Sequence, residues 1–416
     1  MLIYFKIFRI MLYYIIYWSD KMNVEIIGMN HNGDGIGKIN GKVIFVPRAV
    51  VGDIVRLKDI IEYKNYSTGV VDYFIQYSDE RVVSSCCYYD KCGGCQIMSL
   101  SYDKQLEYKR DKVINIFKRY CDMDIRPEIV GGNNFGYRNK VVFQVKDGKF
   151  GYFEESSNSV VELEKCFLIS GKMNEILSII KNEICLDGID KIMMRDSLDG
   201  VMVVFYGDAR DIDIGVLNEK VCSIYVNDKK IYGKDMIKMK LGEYHFVISP
   251  NSFFQVNLEQ TVRMYGYVKE CIVGRPKLLD LYCGVGSIGI FCADKCKEVI
   301  GIEINKDAID NANINKKLNH IDNIRFMCLN ANKINYGEGE FDVVIVDPPR
   351  GGLDSKTIQT IKNICGKMVI YVSCNPVTLA RDFNHLRDEY KLVDMRLFDM
   401  FPNSYHVESV VLLQKK

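Results

Sequence analysis

The pattern of apolar and polar positions changes character twice along the chain. From Asn23 to about Val82, short apolar runs alternate with Gly- and Asn-rich turns: VEIIG, HNGDGIGKINGK, VIFVP, GDIVRL and STGVVDYFI. Short strands at such tight spacing predict a small all-β barrel. Residues 101–120 then show helical periodicity behind the capping residue Ser101. Their Lys104, Arg110, Lys112, Lys118 and Arg119 alternate with acids, which predicts a solvated face. YRNKVVFQV opens a strand-rich stretch that runs through GYFEE, VVELEKC, KIMMR, GVMVVFYG and CSIYVN, with a helix near 173–182. Strands with so little helix indicate a mixed α+β domain. From about Pro250 the rhythm becomes strand, helix, strand: KLLDLYCGVGSIGIF, VIGIEI, IRFMCL, VVIVD, MVIYVSC, KLVDMRLF and VESVVLLQ. That alternation predicts an α/β, doubly wound, Rossmann-like sheet. The expected domains are a barrel at 22–82, a central α+β domain at 83–100 and 131–249, and a catalytic domain at 101–130 and 250–416.

Candidate chemistry concentrates in the last region. Its first strand runs into Gly284-x-Gly286-x-x-Gly289, where missing side chains let a cofactor lie close to the backbone. Glu303 ends the next strand, where a carboxylate can accept both hydroxyls of a ribose. Together these predict an adenosine cofactor, either a nicotinamide dinucleotide or S-adenosylmethionine. The run MVIYV reads as a strand buried on both faces and breaks at Ser373, Cys374, Asn375 and Pro376. Chemistry in open parallel sheets gathers beyond the carboxyl ends of strands, so Cys374 is a candidate nucleophile. A buried Cys is more often a small apolar filler, and position alone does not overturn that. Two further stretches, DLYCGVG and the DPPR sequence at Asp347–Arg350, do.

A second cluster lies in CCYYDKCGGCQ, where Cys86, Cys92 and Cys95 have C-x5-C-x2-C spacing and Cys166 is the nearest plausible fourth ligand. Four thiolates hold an iron–sulfur cluster or a structural zinc, and spacing does not separate the two. Neither Cys86 nor Cys87 gives the C-x3-C-x2-C of radical enzymes, so radical chemistry is not expected. The net charge of +1 excludes a global field for a polyanion, leaving any nucleic-acid surface to local patches such as Arg138 and Lys140. The 15 Cys, odd in number and mostly scattered, suit a reducing cytoplasm better than a secreted framework. Residues 1–21 are dense in apolar side chains, but Lys6 and Arg9 interrupt them and the clean run from Ile10 to Trp18 is shorter than the ~20 residues that span a bilayer. The expectation is that translation starts at Met22 and that this segment is a start-site artefact, with a weak membrane anchor as the alternative.

DPPR after the fourth strand and SCNP after the fifth, taken together, resemble the RNA 5-methyluridine methyltransferase family. The resemblance runs through the barrel, which is similar to the TRAM domain, and through the four Cys, YRNK, PNSFFQVN, DLYCGVG, DPPRGGLD, YVSCNPVTLARD and DMFPNSYHVESVVLL. It implies S-adenosylmethionine as methyl donor, Cys374 as nucleophile and Glu408 as base. It further implies a donor site lined by Gln255, Tyr282, Glu303, Asn330 and Asp347, and Phe253 stacking near the target base. Cys86, Cys92, Cys95 and Cys166 would hold a four-iron four-sulfur (4Fe-4S) cluster. The combination of barrel and cluster resembles the enzymes acting on 23S ribosomal RNA, with the tRNA T-loop as the alternative substrate. The sequence departs from the family pattern at Asn403 and Tyr405, where His and Pro are expected, and at Ser287, where some members have Asn. The protein is expected to act on RNA as a cytoplasmic monomer with no membrane partner. Two rival readings are a methyltransferase of exocyclic amines, opposed by Arg350 and Cys374, and a non-catalytic RNA-binding protein, opposed by the intact donor-site set.

Overall fold

The computed structural model describes residues 23–155, 157–208 and 212–416, so the expectation for 1–21 lies outside the described residues. The described residues form two compact units, one running up to Tyr108 with Asn403–Tyr405 and the other from Lys109 to Pro402 with His406–Lys416. In the first, six strands follow the order Asn23–Glu25, Ile54–Glu62, Ser67–Gln76, Lys42–Val46, Gly35–Ile39, Gly28–Met29. Val24, Ile26, Ile44, Val46, Val55 and Leu57 alternate inward and close a small core. Gly37 belongs to this packing, because a Cβ there would lie 2.1 Å from a Val24 methyl. These strands, from Asn23 to Gln76, form the small all-β element expected at the start of the chain. Buried Asp53 fastens its lower edge to the chain beyond it, accepting from Val50 N, Ser78 N and the Arg81 guanidinium at 2.6 to 3.1 Å.

The second unit holds two large sheets. One has seven strands in the order Val160–Glu162, Lys149–Phe153, Lys140–Lys146, Ile189–Ser197, Gly200–Gly207, Ser223–Val226, Lys229–Gly233, accompanied by the helix Gly171–Glu183. The other has eight: Ile324–Cys328, Glu298–Glu303, Lys277–Leu281, Phe341–Val346, Cys365–Ser373, Glu408–Lys415, Tyr390–Phe398 and Glu128–Val130. Its first five strands are parallel, and Glu408–Lys415 then inserts antiparallel beside Cys365–Ser373. This is the doubly wound sheet expected from Pro250 onward. Tyr265, Ile288 and Phe291 pack on one face, while Phe117, Phe383 and Leu386 pack on the other. Burying each such side chain contributes about 1.5–3 kcal/mol.

The helices start where their side chains can satisfy orphan amides. Asn305, Asp354 and Asn375 cap Lys306–Leu318, Ser355–Ile364 and Pro376–Leu386 by accepting from Ala308, Thr357 and Val377 amides at 3.1, 2.9 and 3.1 Å. Each cap contributes about 1 kcal/mol. The third has a functional consequence: Asn375 with Pro376 at the first helical turn ends the strand abruptly and fixes Cys374 at the break. The helix expected at 101–120 spans Tyr102–Cys121, but its face is not solvated throughout. Lys109 is fully buried, and burial pushes the Lys112 ammonium down to about 7. Among the described residues, no helix is long and apolar enough to cross a membrane.

Candidate active site

The donor side is built at the carboxyl ends of three adjacent parallel strands. After Lys277–Leu281 the chain turns through Tyr282, Gly284 and Gly286 at φ of +64°, +53° and +81°, then enters the helix Ser287–Cys292. Glycine is required at 286, since a Cβ there would meet the Phe326 ring at 2.5 Å. At Gly284 a Cβ would meet nothing within 4 Å, so the backbone there borders open space. Tyr282, a side-chain-bearing residue at positive φ, marks the kind of strained position that clusters at binding sites. Glu303 holds the turn from the neighbouring strand, its Oε2 accepting from Gly284 N at 3.2 Å and its Oε1 from Ile304 and Asn305 amides at 2.8 and 2.9 Å. Oε1 already accepts two amides, so Oε2 is the oxygen that keeps a lone pair for a ligand hydroxyl.

Two more carboxylates sit deeper. Asp280 accepts from Gly289 N at 3.0 Å through Oδ2, while its buried Oδ1 has no partner. Burial first, and the charge of Asp347 second, push Asp280 up to about 8. Burial pushes Asp347 up to about 7. Acids raised in this way are short of positive charge, and a ligand carrying a sulfonium and an ammonium group supplies it. The buried Tyr265 hydroxyl links the neighbours, 3.1 Å from Ser287 Oγ and in reach of the Gln255 side chain. Asn330 caps a short turn with its Oδ1, which accepts from Asn332 N at 3.1 Å.

The thiol side is assembled across an antiparallel ladder. Ser373 is paired with Ser409 in the last rung between Cys365–Ser373 and Glu408–Lys415, so Cys374 and Glu408 face each other one step beyond it. Glu408 is buried, and that burial, with Asp347 adding repulsion and Arg350 opposing it, pushes its carboxyl up to about 8. Half-buried Cys374 is pushed up to about 11 by burial and then by Glu408, again with Arg350 opposing. Arg350 is therefore the cation both groups share. Its Nη2 lies 3.2 Å from His406 Nε2. Burial among Arg350, Lys112, Lys109 and Arg138 holds the imidazole down to about 3. A neutral ring accepts the guanidinium N–H at Nε2, and that lone pair is then engaged.

The two loops are locked together. Arg350 O accepts from Asn375 Nδ2 at 3.1 Å and Thr378 Oγ1 at 3.3 Å. Buried Asp382 accepts from Leu353 N and Tyr371 OH, both at 2.7 Å, and from Arg381 Nε at 2.8 Å. Sequence reasoning singled out neither Asp382 nor Asp280. Asp280 carried a signal, an acid closing a strand ahead of a glycine turn; Asp382 carried none beyond its place in a helix. Phe253 is 65% exposed. Asn139 is buried and donates to Gln255 O at 2.9 Å, while Arg138 and Lys140 on either side of it are partly exposed. Lys140 is pushed down to about 8 by burial and by Arg195 and Arg138.

Asn403 and three of the four candidate Cys fall in the first unit. Asn403 adopts φ of +68°, a conformation Asn tolerates. It exchanges two bonds with Gln105, at 2.9 and 3.1 Å. Cys86, Cys92 and Cys95 lie half-buried in an irregular loop in which Cys92 N donates to Tyr88 O and Cys86 N to Ser84 Oγ. Cys166 is buried in the second unit. Among the described residues no group of three or more His, Cys, Asp or Glu is gathered to hold a metal ion.

A parallel sheet whose strand order reverses at its glycine turn, with open space at Gly284, an orphaned Asp280 oxygen and Glu303 beyond, has the layout of an adenosine-cofactor site, and the comparisons below make it that of an S-adenosylmethionine-dependent methyltransferase. Comparison with known proteins agrees. A family profile described as tRNA (uracil-5-)-methyltransferase matches residues 209–416, and one for the TRAM domain matches 20–71. An uncharacterised RNA methyltransferase of Halalkalibacterium halodurans is 32% identical, over 96% of this chain and 98% of that one. Another, from Clostridium tetani, is 33% identical over 95% of this chain and 96% of that one. The solved tRNA (uracil-54, C5)-methyltransferase of Pyrococcus abyssi, in complex with S-adenosyl-L-homocysteine, is 28% identical with a TM-score of 0.79, covering 94% of this chain and 99% of that chain. The chain belongs to the tRNA (uracil-5-)-methyltransferase family and is an RNA methyltransferase.

Proposed function

We propose that this enzyme methylates carbon 5 of a uridine in RNA through a covalent adduct between Cys374 and carbon 6. The observation that carries the reading is the facing pair Cys374 and Glu408, sharing Arg350 beside Asp347. Carbon 5 of uracil is a poor nucleophile until a thiolate adds to carbon 6 and makes it an enolate carbon. A thiol held up to about 11 ionises as it attacks, and Arg350 is the cation that favours its thiolate. S-adenosylmethionine supplies the methyl group when bound. Glu408 then takes the proton from carbon 5; the C–H electron pair forms the C5–C6 double bond and the Cys374 sulfur leaves as thiolate. A carboxyl poised at about 8 is a far better proton acceptor than an ordinary one. His406 is the weaker base, being neutral, near 3 and bonded to Arg350.

Gln255, Tyr282, Glu303, Asn330 and Asp347 form the donor site in this reading, and exposed Phe253 stacks on the target base. The base must leave its own stack at a cost of a few kcal/mol, which contacts to the flanking RNA supply. Cys86, Cys92, Cys95 and Cys166 are proposed to hold a structural 4Fe-4S cluster, on the strength of their spacing; no catalytic step is routed through it. Iron and sulfide in stoichiometric amounts after anaerobic purification support it, and stoichiometric zinc overturns it. The proposed working domains remain a barrel at 22–82, a central domain at 83–100 and 131–249, and a catalytic domain at 101–130 and 250–416.

The proposed substrate is 23S ribosomal RNA, supported by the resemblance that joins barrel and cysteine loop. A tRNA uridine is the second reading, favoured by the near full-length likeness to the Pyrococcus abyssi enzyme. That coextensive tRNA enzyme means the added domains do not by themselves select ribosomal RNA. Mapping 5-methyluridine in ribosomal RNA and tRNA from a deletion strain tests the choice. Loss from 23S RNA is expected, and loss confined to the tRNA T-loop overturns it.

A further inference from the structure

Between the strand Tyr390–Phe398 and the strand that begins at Glu408, residues 399–402 of the second unit follow no regular structure. Three successive carbonyls there are each bonded by a side chain from a different element. Met400 O accepts from Asn257 Nδ2 at 3.3 Å, Phe401 O from Lys109 Nζ at 3.0 Å, and Pro402 O from Tyr137 OH at 3.1 Å. Lys109 is the least expected of the three. Its side chain is fully buried, as is that of Asp399, and its ammonium also reaches Asp399 Oδ1 at 2.5 Å. Asp399 N in turn donates to Val130 O at 3.0 Å, while its Oδ2 is buried without a partner. A buried ion pair with an orphaned oxygen is an inefficient route to stability, since apolar side chains of similar volume do as well or better. The Phe401 ring packs edge-on against His406, with centroids 5.8 Å apart, and His406 touches Arg350.

From this chain of contacts we propose that Lys109 is a positioning residue for the proton-removal step. It acts through Phe401 on His406 and Arg350, and so on the segment that ends at Glu408. The idea rests on the reading of Glu408 as the base, which takes the carbon 5 proton while the Cys374 sulfur departs. Lys109 touches neither substrate nor donor; it fixes the backbone from which the base is aimed. Small misplacements of this sort cost on the order of 100-fold in rate.

The test compares Lys109→Met with the double variant Lys109→Met/Asp399→Leu, using RNA carrying uridine or 5-deuterouridine. In Lys109→Met, kcat is expected to fall on the order of 100-fold with KM and donor affinity little changed, and the deuterium isotope effect on turnover to rise as proton removal becomes limiting. The double variant removes both buried charges, so its unfolding temperature is expected to return to the wild-type value. Its kcat should stay low and its isotope effect high. Recovery of kcat in step with stability, or an unchanged isotope effect, overturns the proposal and leaves Lys109 a structural residue. Glu408→Gln is the control: normal turnover in that variant defeats the assignment of the base itself, whatever Lys109 does.

Discussion

The donor side and the thiol side of the same sheet are built by opposite means. On the donor side, Asp280, the glycine turn and Glu303 sit at the ends of neighbouring parallel strands, each placed by its own few residues of sequence. On the thiol side, Cys374 meets Glu408 through the register of an antiparallel ladder, and Arg350 and His406 arrive from two further loops. The first arrangement tolerates drift elsewhere in the chain. The second depends on several distant segments being correct at once, which is why its surroundings hold Asp382 and Lys109 in buried polar contacts and tie Asn375 to Arg350. The two sides meet electrostatically at Asp347, which raises both Asp280 and Glu408.

The contrast breaks most sharply at Cys374. Cys374→Ala is expected to lower turnover more than about 10⁴-fold while leaving donor affinity intact, measured by methyl transfer and by calorimetry. A parallel loss of donor binding would show that the sides are not separable. Glu408→Gln comes next, with a fall of on the order of 10²–10⁴-fold and accumulation of a methylated protein–RNA adduct, visible on denaturing gels. Transfer precedes proton removal, so the adduct should carry the methyl group.

The third expectation concerns pH. Glu408 accepts a proton only when ionised, and its raised pKa of about 8 means the active fraction grows as pH rises through that value. The profile of kcat/KM should therefore climb up to about pH 8, and Glu408→Gln should lose that limb. The smallest effect belongs to the donor side. Asp347 and Asp280 are raised from 3.8 to about 7 and about 8, so the folded, donor-free protein binds more protons than the unfolded chain across that interval. Their contribution to stability is present below pH 3.8 and is lost as pH rises toward about 8. A cationic donor lowers both values, so its binding should release protons near pH 7, detectable as a buffer-dependent heat. Asp280→Asn should shrink that release, and no buffer dependence would contradict the charge argument.

This difference also explains what could be read in the sequence. The glycine turn, Glu303 and the strand carrying Cys374 were legible because local periodicity and turn residues determine them. The pairing of Cys374 with Glu408 was not, because ladder register between segments so far apart leaves no local trace; family resemblance alone nominated Glu408. The helix at Tyr102–Cys121 was found, yet Lys109 passed unnoticed, because a Lys amid other charges looks solvated until its burial is seen. Asn403 looked like a simple departure from a pattern and proved to occupy a left-handed position fixed by Gln105.

Covalent catalysis by Cys374 is tested most directly by incubating the protein with RNA containing 5-fluorouridine and S-adenosylmethionine. Fluorine at carbon 5 cannot be removed as a proton, so the reaction should stop after methyl transfer. A gel-stable adduct is expected, bearing one methyl group per RNA and mapping by peptide mass to Cys374, and it should be absent from Cys374→Ala. An RNA that the enzyme methylates normally, yet that yields no adduct when fluorinated, would contradict the mechanism.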